Sequence, residues 1–179
     1  MATPAPAEKT YPLVGIFDTP NAAERAYVAC LERGYDLGQI NVVVSEGTRQ
    51  KLLTSGNEVK AELAGREAEG GELGGPEGGR VGILVTVLAA VGAAVAVPAI
   101  GFVVGPLAIA LTAAGAAGAA GGLFAAFSDW GVPEKRRHGY EADVRNGAIL
   151  MTVEAKSAAD AHALAEEWNA SGGRDIHRN

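Results

Sequence analysis

The chain has 179 residues, with 15 Lys and Arg against 21 Asp and Glu, for a formal net charge of -6 at pH 7. A general nucleic-acid binder needs a basic face to displace counterions from phosphates, so this balance excludes that class, and no nucleic-acid partner is expected. The single cysteine, Cys30, excludes an internal disulfide and is expected as a small, partly buried helix residue.

The N-terminal MATPAPAEKTYP lacks a basic segment followed by an apolar stretch, so it does not read as a secretory signal; residues 1–10 are expected to be a disordered tail on a cytoplasmic protein. An apolar, strand-like run follows from Tyr11 to Phe17. Thr19 is placed to cap a helix, and Pro20 suits its first position because a missing N–H there costs no hydrogen bond. The helix carries Ala22, Ala26, Ala29 and Cys30 at helical spacing and stops at Gly34, which takes the left-handed conformation without a Cβ clash. INVVV, from Ile40, predicts a second strand.

Residues 47–80 change character. Lys, Arg and Glu surround Leu52, Leu53, Val59 and Leu63 at roughly helical spacing, which predicts one or two short amphipathic helices. GGELGGPEGGR, ending at Arg80, reads as a flexible linker, and no GKS or GKT follows to make it a phosphate loop.

From Val81 to Ser128 the chain holds no charged residue. Gly82 to Val104 has the length and apolarity of a transmembrane helix, and Pro106 to Phe127 is its Ala/Gly-rich partner. Gly101 and Gly105, then Ala114, Gly118 and Gly122, form small-xxx-small arrays that would let two helices pack closely and self-associate. VPAIGFVVGP, with Pro98 and Pro106 marking its ends, predicts the apolar tip of an α-helical hairpin buried in lipid or in a protein core. Residues 129–146 then return to the domain as a charged helix. Trp130, Lys135, Arg136 and Arg137 stand just beyond the apolar run, where they are expected to touch lipid headgroups and to mark the cytoplasmic side. Trp130 has an equally ordinary reading as a core aromatic where the insertion rejoins the domain.

Near the C-terminus the first pattern returns. Ala148 to Ala155 is strand-like, Ser157 is a helix cap with Asp160 as a capping-box variant, and Gly172-Gly173 end the helix before a short final strand, RDIHR. Thr19 and Ser157, and Gly34 and Gly172, share one register. Residues 11–46 and 147–179 therefore read as two halves of one domain. The predicted class is α+β: a ferredoxin-like split β-α-β sandwich, its sheet under two helices, interrupted by a long Gly/Ala-rich α-helical hairpin insertion, 81–128. If both halves share a sheet, the insertion must return to the side it left, so any membrane crossings are even in number.

No catalytic constellation accompanies this architecture. His138, His162 and His177 are not at metal-ligand spacing, no GxSxG elbow is present, and neither cofactor nor metal is expected. Glu134, Glu141 and Asp143 interleave with the basic residues of 129–146 as a salt-bridged, solvated helix face.

VGIFDTPNAAERA, the central glycine-rich apolar run and GVPEKRRHGYEADVRNGAILMTVEA together resemble the bacterial general-stress-protein family, from about Leu13 to Ile176. The resemblance implies a bacterial, stress-associated, membrane-associated protein without an assigned reaction. The first expectation is a non-enzymatic protein in the cytoplasmic membrane, its ferredoxin-like domain in the cytoplasm, whose partners are itself and the bilayer. The alternatives are a soluble homo-oligomeric scaffold with the apolar runs in a shared core, and a domain that senses a small ligand of unknown identity.

Overall fold

The computed structural model describes residues 11–55, 94–97, 101–113 and 127–179. Within them a six-stranded antiparallel sheet is flanked by helices. The strands are β1 (Tyr11–Phe17), β2 (Ile40–Val44), β3 (Ala94–Val97), β4 (Gly101–Val104), β5 (Ile149–Ala155) and β6 (Gly173–Arg178), in the spatial order β3-β4-β2-β5-β1-β6. The main helices are α1 (Pro20–Glu32), α2 (Glu134–Arg145) and α3 (Ala158–Ala170), with further helical residues at 46–55 and 106–113.

Local chemistry builds the two ends alike. Thr19 accepts the Ala22 N–H at 3.2 Å and Ser157 accepts the Asp160 N–H at 3.1 Å, so each helix begins on a hydroxyl cap. Gly34 (φ +78°) and Gly172 (φ +95°) follow the helix ends in the left-handed region, as the glycine stops require. Because β5 runs antiparallel to β1, β2 and β6 are each parallel to the strand that precedes them through α1 or α3, and one strand lies between the members of each pair. Asp160 departs from the capping-box expectation: its carboxylate accepts hydrogen bonds from Arg33 and Tyr35 of the other half.

Both faces of the sheet are covered. On one, Ala22, Ala23, Ala26, Tyr27 and Cys30 of α1 and Leu164, Ala165 and Trp168 of α3 pack on Leu13, Phe17, Val42, Met151 and Val153. The Trp168 indole is fully buried, 5.5 Å from the Phe17 ring and edge-on to it. Gly15 makes room for that indole: a Cβ there would stand 3.0 Å from Trp168 Cε3. On the other face Leu107, Ala108 and Leu111 from 106–113, together with Phe127, Val132, Tyr140 and Val144, cover Val14, Ile16, Val43, Val103 and Leu150. Each large apolar side chain buried this way contributes about 1.5–3 kcal/mol. The sheet is thus the middle of three layers, not a sheet with one wet face.

The insertion is where expectation and structure part. The predicted helix Gly82–Val104 is not formed over its described C-terminal part, because Ala94–Val97 and Gly101–Val104 are strands. β3 and β4 pair antiparallel, Val97 opposite Gly101, and β4 pairs with β2 through Val42–Val104, Val43–Val103 and Val44–Phe102. Valine's β-branched side chain suits such a ladder better than a helix. The two glycines fix the choice. Gly101 (φ +137°) and Gly105 (φ +116°) adopt backbone conformations closed to a helix, and a Cβ would stand 2.1 Å from the Val44 carbonyl oxygen or 2.4 Å from that of Ile40. They serve close approach of two strands, so neither lies on a helix-packing face. Among the described residues no helix is long and apolar enough to cross a membrane. The parts of VPAIGFVVGP on either side of 98–100 are antiparallel strands, not helices, and 98–100, including Pro98, lie outside the described residues, as do Ala114, Gly118, Gly122, Val59, Leu63, residues 1–10 and the glycine-rich stretch before Val81. Pro106 begins the helical residues 106–113. The amphipathic helix expected after residue 47 is seen at 46–55, with Leu52 buried in the core.

Candidate functional site

One polar pair interrupts the apolar sheet. Asn41 on β2 and Thr152 on β5 stand directly opposite each other and are both buried. A buried amide must find partners for its donor and its acceptor. Asn41 Nδ2 donates to Thr152 Oγ1 at 3.0 Å, and Asn41 Oδ1 accepts the Leu107 N–H at 2.7 Å. Asn41 therefore ties two strands to the start of the helical residues 106–113, where Ala108 N–H also bonds to the Gly105 carbonyl. Residue-by-residue reading passed over this pair. Its signal was present: a lone Asn in INVVV, and in ILMTVEA a Thr followed two residues later by Glu154 on the same face.

Above that pair opens a cavity of about 380 Å³, bounded by Gly38 and Gln39 before β2, Asn41, Pro106, Leu107 and Ala110, Trp130 and Glu154. Trp130 is half-buried and tilted against Phe127, with ring centroids 5.9 Å apart, so the core role weighed for it is met here. Glu154 is exposed and stands on the same face of β5 as Thr152, two residues further along. It is the one carboxylate among the described lining residues, and no Lys or Arg is among them.

The cations expected outside the apolar run lie elsewhere. Lys135 and Arg136, in the first turn of α2, line a second cleft of about 400 Å³ with Pro133, Tyr140, Asp143 and Asp175. Arg136 donates to the Ile176 carbonyl at 3.4 Å, and Arg137 is half-buried in the same turn. The Tyr140 hydroxyl donates to the Asp175 carbonyl at 2.6 Å, and its burial pushes its pKa up to about 12. Beside this cleft Arg174 binds both oxygens of Asp18 (2.7 and 2.8 Å) and one of Asp143 (2.9 Å). Those bonds hold the Asp18 carboxyl below its ordinary range and raise the Arg174 guanidinium above its own. A further network joins the chain ends: Arg33 bridges Glu167 and Asp160, while the Tyr35 hydroxyl donates to Asp160 and accepts the Lys156 N–H at 2.9 Å.

His138 and His162 each sit one helical turn from a glutamate, Glu134 and Glu166, on exposed helix faces. His177 lies on β6, and among the described residues no group of three or more His, Cys, Asp or Glu side chains converges as a metal site. Cys30 is fully buried, which pushes its thiol up to about 12.

The fold and cavity define a three-layer α/β protein that carries a small pocket with an aromatic wall and one negative charge. Compared with models of protein families, with curated proteins and with solved structures, the chain matches none of them.

Proposed function

We propose that this is a non-enzymatic, self-associating protein: a ferredoxin-like split β-α-β domain whose apolar insertion is buried against further copies of the chain. The ferredoxin-like reading is supported by the subset β2-β5-β1-β6, in which two β-α-β units interleave with α1 and α3 on one face. The observation that carries self-association is the outer face of the helical residues 106–113. A helix lying on a sheet ordinarily turns charged side chains outward. Here the outward residues are Ile109, 66% exposed, with Ala110, Thr112 and Ala113, in a stretch without any charge from Val81 to Ser128. Outermost in the described sheet, β3 is AVAV, with neither charge nor proline within it to discourage pairing with another chain.

Of the two burials open to the apolar run, protein is favoured over lipid. Ala94–Val97 and Gly101–Val104 supply strands to the sheet, residues that a membrane-spanning helix ending at Val104 would need for itself. The bacterial, stress-associated setting rests on the family resemblance alone. Mass measurement in detergent-free buffer tests the proposal: the wild type should be a defined oligomer, and Ile109→Glu, a change on the exposed face, should shift it towards monomer with the fold kept. A wild-type monomer would refute self-association, and solubility only with detergent or vesicles would favour the membrane reading.

A further inference from the structure

The cavity beside Asn41 has a chemistry of its own, independent of self-association, and we infer that it binds a small organic cation, an ammonium group on an apolar body. Its volume of about 380 Å³ falls within the range of small-ligand sites, roughly 300–1,000 Å³. Its floor is preset, because both ends of the Asn41 amide are already engaged and cannot swing to meet a ligand. That same engagement disfavours an anion. The start of a helix ordinarily attracts negative charge through its free N–H groups, but here the Leu107 N–H is taken by Asn41 and the Ala108 N–H by Gly105.

What remains open to a ligand is apolar surface from Leu107 and Ala110, the indole of Trp130, and the Glu154 carboxylate. An indole is the best side-chain partner for a cation through its ring quadrupole, and Phe127 steadies this one. A carboxylate on the same cavity, with no lysine or arginine among the described lining residues, sets the sign of the charge it attracts. A primary amine with an aromatic or aliphatic body satisfies both: the ammonium meets Glu154 while the body lies against Trp130 and Leu107.

Calorimetric titration of the full chain with three probes of one shape tests this: phenethylamine, cationic at neutral pH, 2-phenylethanol, neutral, and 3-phenylpropanoate, anionic. Phenethylamine should bind saturably, with the alcohol and the anion about tenfold weaker or more, and raising the salt concentration should weaken the amine alone. Glu154→Gln, at an exposed position, should leave the thermal midpoint unchanged, weaken phenethylamine about threefold, and leave 2-phenylethanol as it was. Equal binding of amine and alcohol, an amine affinity indifferent to salt and to Glu154→Gln, or no saturable amine binding would each overturn the inference. The titration in the Ile109→Glu background should give the same affinity, so loss of oligomerisation and loss of ligand binding are read separately.

Discussion

Replacing Gly105 by alanine distinguishes, by the sign of the effect, a glycine in a helix from one in the tight bend after β4. On a helix alanine is the better residue, by roughly 0.5–1 kcal/mol, so the substitution would stabilise or leave the fold unchanged. In the structure Gly105 has φ +116°, and its Cβ would lie 2.4 Å from the Ile40 carbonyl oxygen, 2.8 Å from Asn41 Oδ1 and 3.0 Å from Asn41 Cα. The backbone strain costs about 1–3 kcal/mol. Two of the three colliding atoms are backbone, so no rotamer change relieves them. Moving Asn41 away would strip the Leu107 N–H and Thr152 Oγ1 of their buried partner, a further ~1–3 kcal/mol. The sum is about 2–6 kcal/mol, against a total stability of ~5–15 kcal/mol. For a chain of this size each kcal/mol moves the thermal midpoint about 2–4 °C, so Gly105→Ala should lower it by roughly 4–24 °C. Urea and thermal unfolding at one fixed protein concentration, followed by circular dichroism, measure it. Gly139→Ala is the control: it lies on α2 with no atom within 4 Å of an added Cβ, and it should be neutral or stabilising. A Gly105→Ala midpoint at or above wild type would refute the positive-φ bend and its close approach to Ile40 and Asn41.

Two further outcomes follow from titratable groups taken partly or wholly out of water, half-buried His177 and buried Cys30. Burial, and then the Arg136 charge, lower the His177 pKa below its ordinary 6.5. The unfolded chain therefore binds more protons, so this stability is fully present above pH 6.5 and is lost as pH falls through the folded-state value. His177→Gln should flatten the change in urea midpoint between neutrality and about pH 5, and an unchanged pH profile would show that His177 does not contribute. The Cys30 thiol, held near 12 by burial, should resist Ellman's reagent at about pH 8 in the folded protein and react at the rate of unfolding. Immediate stoichiometric labelling of the native chain would contradict its burial.

The parts of the fold that were legible in advance are those whose causes lie within a few residues. Thr19 and Ser157 cap, and Gly34 and Gly172 stop, each through bonds to neighbours three positions away, while Pro20 suits the first helical position because it has no N–H to leave unpaired. Over Ala94–Val97 and Gly101–Val104 the expected helix gave way to strands because apolarity is the same for a membrane helix and for strands buried in a sheet. Glycines spaced four apart fit either reading, and φ is what separates them. β1 and β2, and β5 as far as Val153, are buried at nearly every position with only Asn41 and Thr152 polar among them, a pattern that fits cover on both faces and lacks the alternation of a sheet with one wet face. The cavity was not legible at all: Gln39, Asn41, Leu107, Trp130 and Glu154 come from four separate stretches of chain, and nothing local announces that they meet.

By itself the sequence determined the two end units, a strand and a capped 13-residue helix repeated in one register, because caps, stops and inward-facing alanines act locally. The tertiary structure alone decided what the described part of the uncharged run does, at 94–97 and 101–113. Its hydrophobicity demands burial but does not name the partner, and burial is non-directional. Hydrogen bonding is directional, so the free edge of β2 and the two positions where only glycine lets backbones meet chose the strand pairing. In VPAIGFVVGP that choice places Gly101 to Val104 against β2 and Pro106 at the start of the helix that roofs the Asn41 cavity.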